Sequence, residues 1–413
     1  MNLKKFRGTG LNNRSIGKYC TPFLALALLA CPVLNEAQAG PTIEFGENGE
    51  GILKIDYKAQ AQIMNRDTGS GLNNEEDTNT MRFRRNRLAF MGAWGEMYGI
   101  YVQADYFDNN AIKSLSVDNN YSSASPGSFS LLDYQIRIKF NDMAQMKIGK
   151  FKANFARENL EDCYQPLTLD RSLFLGDPFV ISRDVGVALW GNLVDDKLQY
   201  RVDFLEGKSA DRGTDTIASD YRFSGRVHLT LLDPEKGYGY RGTYRGTKKV
   251  LTIGAALQHE PNVVYLDSRT KTGDEDYWAA TADIYAEIPM TGVGTVTLSA
   301  AYMDYDYGDR PSNYTADSNA SGEKGEREGY YVKAAYMLPN LPLQFFGRME
   351  NWTFAELNGV IDHELDWMGV GLNYYIKDQS VKMTLEYSTV GFDERDTAHE
   401  DFATVVTQFQ YIF

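Results

Sequence analysis

From residue 53 onward the chain repeats one pattern: a run of roughly 9–11 residues alternating apolar and polar, then a turn or loop. Strict two-residue alternation predicts a strand whose faces meet different surroundings. The first run is the clearest. Leu53, Ile55, Tyr57, Ala59, Ala61 and Ile63 share one face, and Lys54, Asp56, Lys58, Gln60 and Gln62 the other. A soluble sandwich would bury the apolar face as core. A membrane-spanning barrel would turn it to lipid and line a wet lumen with the polar face.

Fifteen further runs follow. The second places Leu88, Phe90 and Trp94 outward, with Arg85 and Arg87 inward. The third places Ile100, Val102, Ala104 and Tyr106 outward, with Gln103 and Asp105 inward. In the fourth, Leu132, Tyr134, Ile136, Ile138 and Phe140 alternate with inward Asp133, Gln135, Arg137 and Lys139. The fifth spans 144–151, with Lys147 inward, and the sixth spans 185–191. In the seventh, Leu198, Tyr200, Val202 and Phe204 face out, and Arg201 and Asp203 in. The eighth places Arg222, Ser224, Arg226 and His228 inward. Later runs cover 250–258, 280–288, 294–303, 330–336, 343–350, 367–374, 381–387 and 403–413. The expected fold is therefore an all-β, transmembrane, antiparallel β-barrel of 16 strands. An even count suits a single-chain bacterial barrel.

Connections alternate in length. Short ones such as 141–143, 192–197, 289–293, 338–342 and 377–379 read as periplasmic turns. Long polar ones such as 66–80, 108–130, 259–276 and 304–328 read as external loops. The connection 231–248 breaks the rule: it should be short, yet it is long and rich in Tyr and Gly. A register slip is expected there. At the C-terminus, Val405, Thr407, Phe409, Tyr411 and Phe413 alternate to a final aromatic. This ending resembles the signal read by the barrel-assembly machinery, with Phe409, Tyr411 and Phe413 as its aromatic residues.

The first 39 residues read differently. Lys4, Lys5, Arg7, Arg14 and Lys18 precede an apolar stretch, 23–33, too short to span a membrane. Ala37-Gln38-Ala39 fits the small-residue cleavage rule, so residues 1–39 read as a cleaved signal peptide and 40–413 as the barrel. Leu28-Leu29-Ala30-Cys31 also approximates a lipoprotein box. Cleavage at Ala39 lowers the basic count from 42 to 37 and the acidic count from 56 to 55, a net charge of −18. Only Cys163 remains, which excludes an intrachain disulfide. No stretch of 18 apolar residues exists, so a helical membrane span is not expected. An acidic exported chain is a poor candidate for nucleic acid.

Segments spread along the chain resemble the family of phosphate-selective porins O and P. These are 81–94 (MRFRRNRLAFMGAW), 146–160 (MKIGKFKANFARENL), Asp170-Arg171-Ser172-Leu173, Gly329-Tyr330-Tyr331-Val332, 368–374 and 409–413. The resemblance implies a sixteen-stranded, trimeric outer-membrane barrel whose third loop, about 152–183, folds into the pore. Arg157, Asp170, Arg171 and Arg183 would then belong to the constriction. It also implies lysines in that loop for members named for phosphate. Here 159–164 reads Asn-Leu-Glu-Asp-Cys-Tyr, without lysine, so no tight phosphate site is expected.

Sorting charges by face gives the chemistry. Lys54, Lys58, Arg85, Arg87, Arg137, Lys139, Lys147, Arg201, Arg222, Arg226, Lys333, Arg348 and Lys382 point inward. Asp56, Asp105, Asp133, Asp203, Asp283, Glu287, Glu350 and Glu386 oppose them. A wall with a net positive balance lowers the barrier for anions even in an acidic protein. The expected function is a porin for small inorganic or organic anions, surrounded by outer-membrane lipid and needing no cofactor. The alternative is a sheath around a partner such as an electron-transfer cytochrome. An enzyme is not expected: His228 and Ser224 share a face, but no third group orients them. The acidic stretch Asp304 to Asp309 lacks the spacing of a calcium loop.

Overall fold

The computed structural model describes residues 40–70, 76–106, 129–172, 182–207, 221–264, 272–273, 275–306, 327–357, 360–397 and 400–413. The expected signal peptide and the tips of most long loops lie outside the described residues.

The strands are β1 (Thr42–Phe45), β2 (Gly51–Ser70), β3 (Glu76–Trp94), β4 (Tyr98–Tyr106), β5 (Phe129–Asn141) and β6 (Ala144–Lys152). A one-turn helix, α1 (Arg157–Leu160), precedes β7 (Arg183–Leu193), β8 (Leu198–Leu205) and β9 (Arg222–Thr230). Then come β10 (Val250–Val264), β11 (Glu275–Met290), β12 (Gly294–Asp306), β13 (Arg327–Met337) and β14 (Leu343–Leu357). The last are β15 (Val360–Lys377), β16 (Val381–Phe392) and β17 (Phe402–Ile412). Each of the sixteen alternating runs corresponds to one of β2–β17.

Every strand from β2 to β17 pairs antiparallel with its sequence neighbours, and β17 pairs with β2 from Thr404↔Arg66 to Ile412↔Lys58. The sixteen strands therefore close, leaving no open edge to face lipid with unsatisfied backbone groups. Phe413 finishes the seam. Its N–H donates to the Tyr57 carbonyl and its carbonyl accepts from the Tyr57 N–H, both at 2.8 Å. Beyond that point β1 takes over beside β2, from Thr42↔Lys54 to Phe45↔Gly51.

Burial is inverted relative to a water-soluble sheet. Along β9, inward Arg226 and His228 are 2% exposed, whereas outward Val227 is 52% exposed. Outward apolar rows of this kind recur around the wall, among them Ile63, Phe90, Ile136, Phe223 and Val370. Such rows suit hydrocarbon, and the buried polar rows need partners inside the lumen.

Two segments of the chain supply those partners. The third loop, between β6 and β7, turns inward and is buried from Ala153 to Tyr164, apart from the half-buried Asp162. The connection 231–249 between β9 and β10 enters from the opposite end, the end that carries the short turns and both chain ends of the barrel. No register slip exists here: β9 and β10 pair continuously from Thr252↔Thr230 to His259↔Phe223. The connection is long because it folds into the lumen, where Glu235, Tyr238, Tyr240 and Tyr244 are buried.

Candidate functional site

The third loop spans the lumen and touches most of the wall. At its start, the Asn154 N–H donates to Asp203 of β8 at 2.7 Å, and the Phe155 carbonyl accepts from Arg226 of β9 at 3.1 Å. Phe155 packs among inward aromatic rings of β11–β15, including Tyr277, Tyr305, Tyr331, Trp352 and Trp367. At its middle, the Tyr164 carbonyl accepts from Gln410 of β17 at 2.9 Å, and the Leu167 carbonyl from Asn373 of β15 at 2.9 Å. At its end, Asp170 accepts from Arg84 at 2.9 Å and Arg85 at 2.7 Å on β3. Glu158 pairs with Lys333 of β13, and Ser172 donates to Glu350 of β14 at 2.6 Å.

Asp170 shows how the wall prepares for the loop. Alternation places Arg85 inward and Arg84 outward. A bulge between Gln60 and Ala61 opposite this point breaks the register, so Arg84 also reaches inward. Burial opposes ionisation of Asp170, yet the two guanidinium groups hold its carboxyl well below the usual range. Sequence alternation alone could not find Arg84.

The inserted connection locks the loop from the other side. The Tyr240 N–H donates to the Leu160 carbonyl at 3.2 Å, and the Asp162 N–H to the Tyr240 carbonyl at 3.1 Å. Gly242 donates to the Gln165 carbonyl at 3.0 Å. A Cβ on Gly242 would sit 2.5 Å from the Leu167 nitrogen, so only glycine permits this approach. Arg157 reaches Glu235 through two parallel hydrogen bonds, each 2.7 Å, and both side chains are buried. Tyr244 and Thr252 also donate to Glu235, at 2.6 and 2.8 Å. Burial alone would raise the Glu235 carboxyl, but Arg157 and these donors hold it down to about 2. The insert is itself seated on Glu287 of the wall, which accepts from the Tyr244 N–H at 2.8 Å and the Gly246 N–H at 2.7 Å.

These contacts divide the inward basic residues into two groups. Arg222 pairs with Glu260 at 2.8 Å, Arg226 with Asp283 at 2.6 Å, and Arg348 with Glu350; all are buried where the loop presses against the wall. Gly254, on the strand between Arg226 and Asp283, leaves room for their pair: a Cβ there would lie 2.4 Å from the guanidinium. Arg201 is buried against Tyr238 and Tyr240 of the insert. Arg85 is taken by Asp170, and Lys54 by Asp56 at 2.9 Å. In the third loop, Arg171 lies beside the Asn159 carbonyl; Arg183, expected in that loop, is instead the first residue of β7, where it pairs with Asp133 at 3.1 Å and belongs to the second group.

The second group lines the space left open, a cavity of about 510 Å³ between the loop and the β2–β7 wall, reaching the short turn at Gly95–Met97. Lys58, Arg87, Arg137, Lys139, Lys147, Lys152 and Arg183 face it against Glu96, Asp133 and Asp162. Arg87 pairs with Asp105 at 2.7 Å and Lys139 with Asp142 at 2.7 Å. Lys58, Arg137 and Lys147 have no carboxylate partner among the described residues. Each sits over a tyrosine ring instead: Lys58 over Tyr164 at 5.6 Å, Arg137 over Tyr101 at 5.1 Å and Lys147 over Tyr238 at 3.1 Å. Tyr101, Tyr164 and Tyr238 are the residues that face sorting of charges passes over.

The hydrolase pair does not form. Ser224 donates to the Asn154 carbonyl, and His228 Nδ1 faces the Tyr240 hydroxyl. Among the described residues no group of three or more metal-ligating side chains converges.

A closed sixteen-stranded barrel with an inward third loop narrows the family, and a sequence family fixes it. The family model for phosphate-selective porin O and P matches residues 54–413. The chain belongs to that family. It is an outer-membrane porin, and the assembled wall described above is its channel. Among relatives, the porin is 21% identical over 384 residues to an uncharacterised protein of Aquifex aeolicus, covering 87% of each chain. Among solved structures, it resembles the outer membrane channel DcaP of Acinetobacter baumannii, with a TM-score of 0.57, 15% identity and coverage of 91% of this chain and 100% of that one. It also resembles the anion-selective porin from Comamonas acidovorans, with a TM-score of 0.55, 8% identity and coverage of 88% and 100%. At these identities the likeness speaks for the fold of the porin.

Proposed function

We propose that this porin passes small anions, and that the open path along β2–β7 sets their preference. The observation that carries this is the trio Lys58, Arg137 and Lys147, cavity-lining cations that sit over tyrosine rings and have no carboxylate partner among the described residues, beside acids of which Asp133 is already paired with Arg183. A fixed positive charge beside a narrow aqueous path in a low-dielectric wall favours chloride-sized anions. Charges act within about a Debye length, ~8–10 Å, so the acidic outer loops weigh less than the wall. Being named for anion selectivity, the Comamonas neighbour is consistent with this reading.

The residual cavity also bears on the sheath reading. A space of about 510 Å³ has the size of a small-molecule site rather than of a protein, because the chain's own segments fill the lumen. The porin family and fold favour a channel over an enzyme. Removal of residues 1–39 by cleavage after Ala39 belongs to the same reading, and N-terminal sequencing of the protein recovered from outer membranes would test it. The family resemblance implies a homotrimer, which cross-linking in native membranes would reveal.

The deciding experiment is a planar-bilayer reversal potential across a potassium chloride gradient. Chloride preference at low salt, fading as salt rises, is expected. A potassium-selective channel would overturn the proposal.

A further inference from the structure

Outside the lining of the open cavity along β2–β7, beside the barrel seam, lies a second cluster of cations. Lys382 of β16 is completely buried, and its Nζ has no hydrogen-bond partner among the described residues. Its cross-strand neighbours are Tyr375 of β15 and Gln410 of β17. The ammonium lies 5.9 Å from the Tyr375 ring centre, and the Arg245 guanidinium of the inserted connection lies 5.2 Å from the same ring. Two cations from different segments thus lie within 6 Å of the centre of one aromatic ring. Gln410 closes the cluster from above, donating to the Tyr164 carbonyl of the loop and to the Gln379 carbonyl of the β15–β16 turn.

A buried ammonium without an acceptor costs several kcal/mol unless something compensates it. Among the described residues no carboxylate forms an ion pair with it. Asp170 is held by Arg84 and Arg85, and Asp162 caps the Tyr164 N–H at 3.0 Å. Asp378 pairs with Arg245 at 2.6 Å but is largely exposed. A buried water accepting from Lys382 Nζ is the competing occupant.

We propose that Lys382 and Arg245 form a binding site for a halide-sized monovalent anion, separate from the conduction path. One ammonium and one partly neutralised guanidinium match a single negative charge. A divalent phosphate would need more donors than the cluster offers. The bound ion would tie the wall (Lys382), the insert (Arg245) and the loop segment held by Gln410 into one unit. The proposal does not depend on the anion preference of the open channel.

The test is crystallography of the full-length mature porin grown in sodium bromide, read by anomalous scattering. A bromide peak within about 3.5 Å of Lys382 Nζ is expected. It should vanish in Lys382→Met while peaks elsewhere persist, and weaken in Arg245→Gln. Ordinary water density without anomalous signal at this place in the wild type would overturn the proposal. So would a peak that survives Lys382→Met. Single-channel recordings give a second readout that needs no crystal. Replacing chloride by gluconate should raise open-channel noise in the wild type and leave Lys382→Met unchanged; equal noise changes in both would count against the site.

Discussion

Arg157 of the third loop and Glu235 of the β9–β10 connection meet in a fully buried, two-pronged ion pair inside the barrel, each bond 2.7 Å long. The two residues enter the lumen from opposite ends of the barrel. Their pairing therefore fixes the depth to which each segment reaches, and with it the size of the cavity left along β2–β7. Tyr240 and Gly242 add backbone hydrogen bonds at the same junction, which makes it a built interface rather than a chance contact.

Removing one partner leaves the other charged and buried, at a cost of about 3–5 kcal/mol. Arg157→Ala or Glu235→Ala should therefore loosen the loop, with larger and noisier single-channel currents and faster proteolysis of the loop in detergent. The double variant Arg157→Met/Glu235→Leu should be quieter than either single variant, since neither member of the two-pronged pair is left as a buried charge; Glu161, 3.7 Å from Arg157, loses that neighbour in the double variant and in Arg157→Ala alike. Single variants with wild-type current traces would show that the pair does not position the loop.

Selectivity should follow the unpaired cations, not the inward cations as a class. Lys147→Glu and Arg137→Glu should each move the reversal potential toward potassium, most strongly at low salt. Arg222→Gln/Glu260→Gln removes a matched pair behind the loop and should leave it unchanged. Equal shifts in all three would mean that the paired residues also face the conduction path.

Acid should release the interlock late. The Glu235 carboxyl is depressed from its ordinary value of 4.5 to about 2, so its contribution is complete above about pH 4.5 and is lost as pH falls through about 2. Asp170 is depressed in the same direction by Arg84 and Arg85. Current noise should stay low down to about pH 4 and rise steeply below it. A noise transition near neutral pH would point to a different group.

Phe413 joins the seam through two backbone hydrogen bonds with Tyr57 and supplies the terminal aromatic. Its deletion should lower the amount of folded, heat-modifiable protein in the outer membrane, as quantified by gel mobility before and after heating. Wild-type levels would remove Phe413 from the assembly signal.

Alternation by itself determined the wall. A two-residue period fixes which side chains share a face, so the sixteen strands, the lipid-facing rows and inward Lys58, Arg137 and Lys147 were all readable from residue order. Where that period fails, the sequence is silent. Arg84 turns inward only because of a bulge, and a bulge depends on how two strands align. Residues 231–248 looked like a register fault, because a periplasmic connection that folds into the lumen has no local signature. Its partners, Arg157 and Gln165, lie about 70 or more positions away along the chain. Most consequential is the fate of the inward cations. Residue order counts Arg137 and Arg226 alike as inward positive charges. Tertiary structure gives Arg226 a carboxylate, Asp283, and buries it behind the loop, while Arg137 keeps its charge open to the path. Pairing across non-adjacent strands and loops decides which charges an ion can feel, and that is a property of the closed barrel with its contents in place.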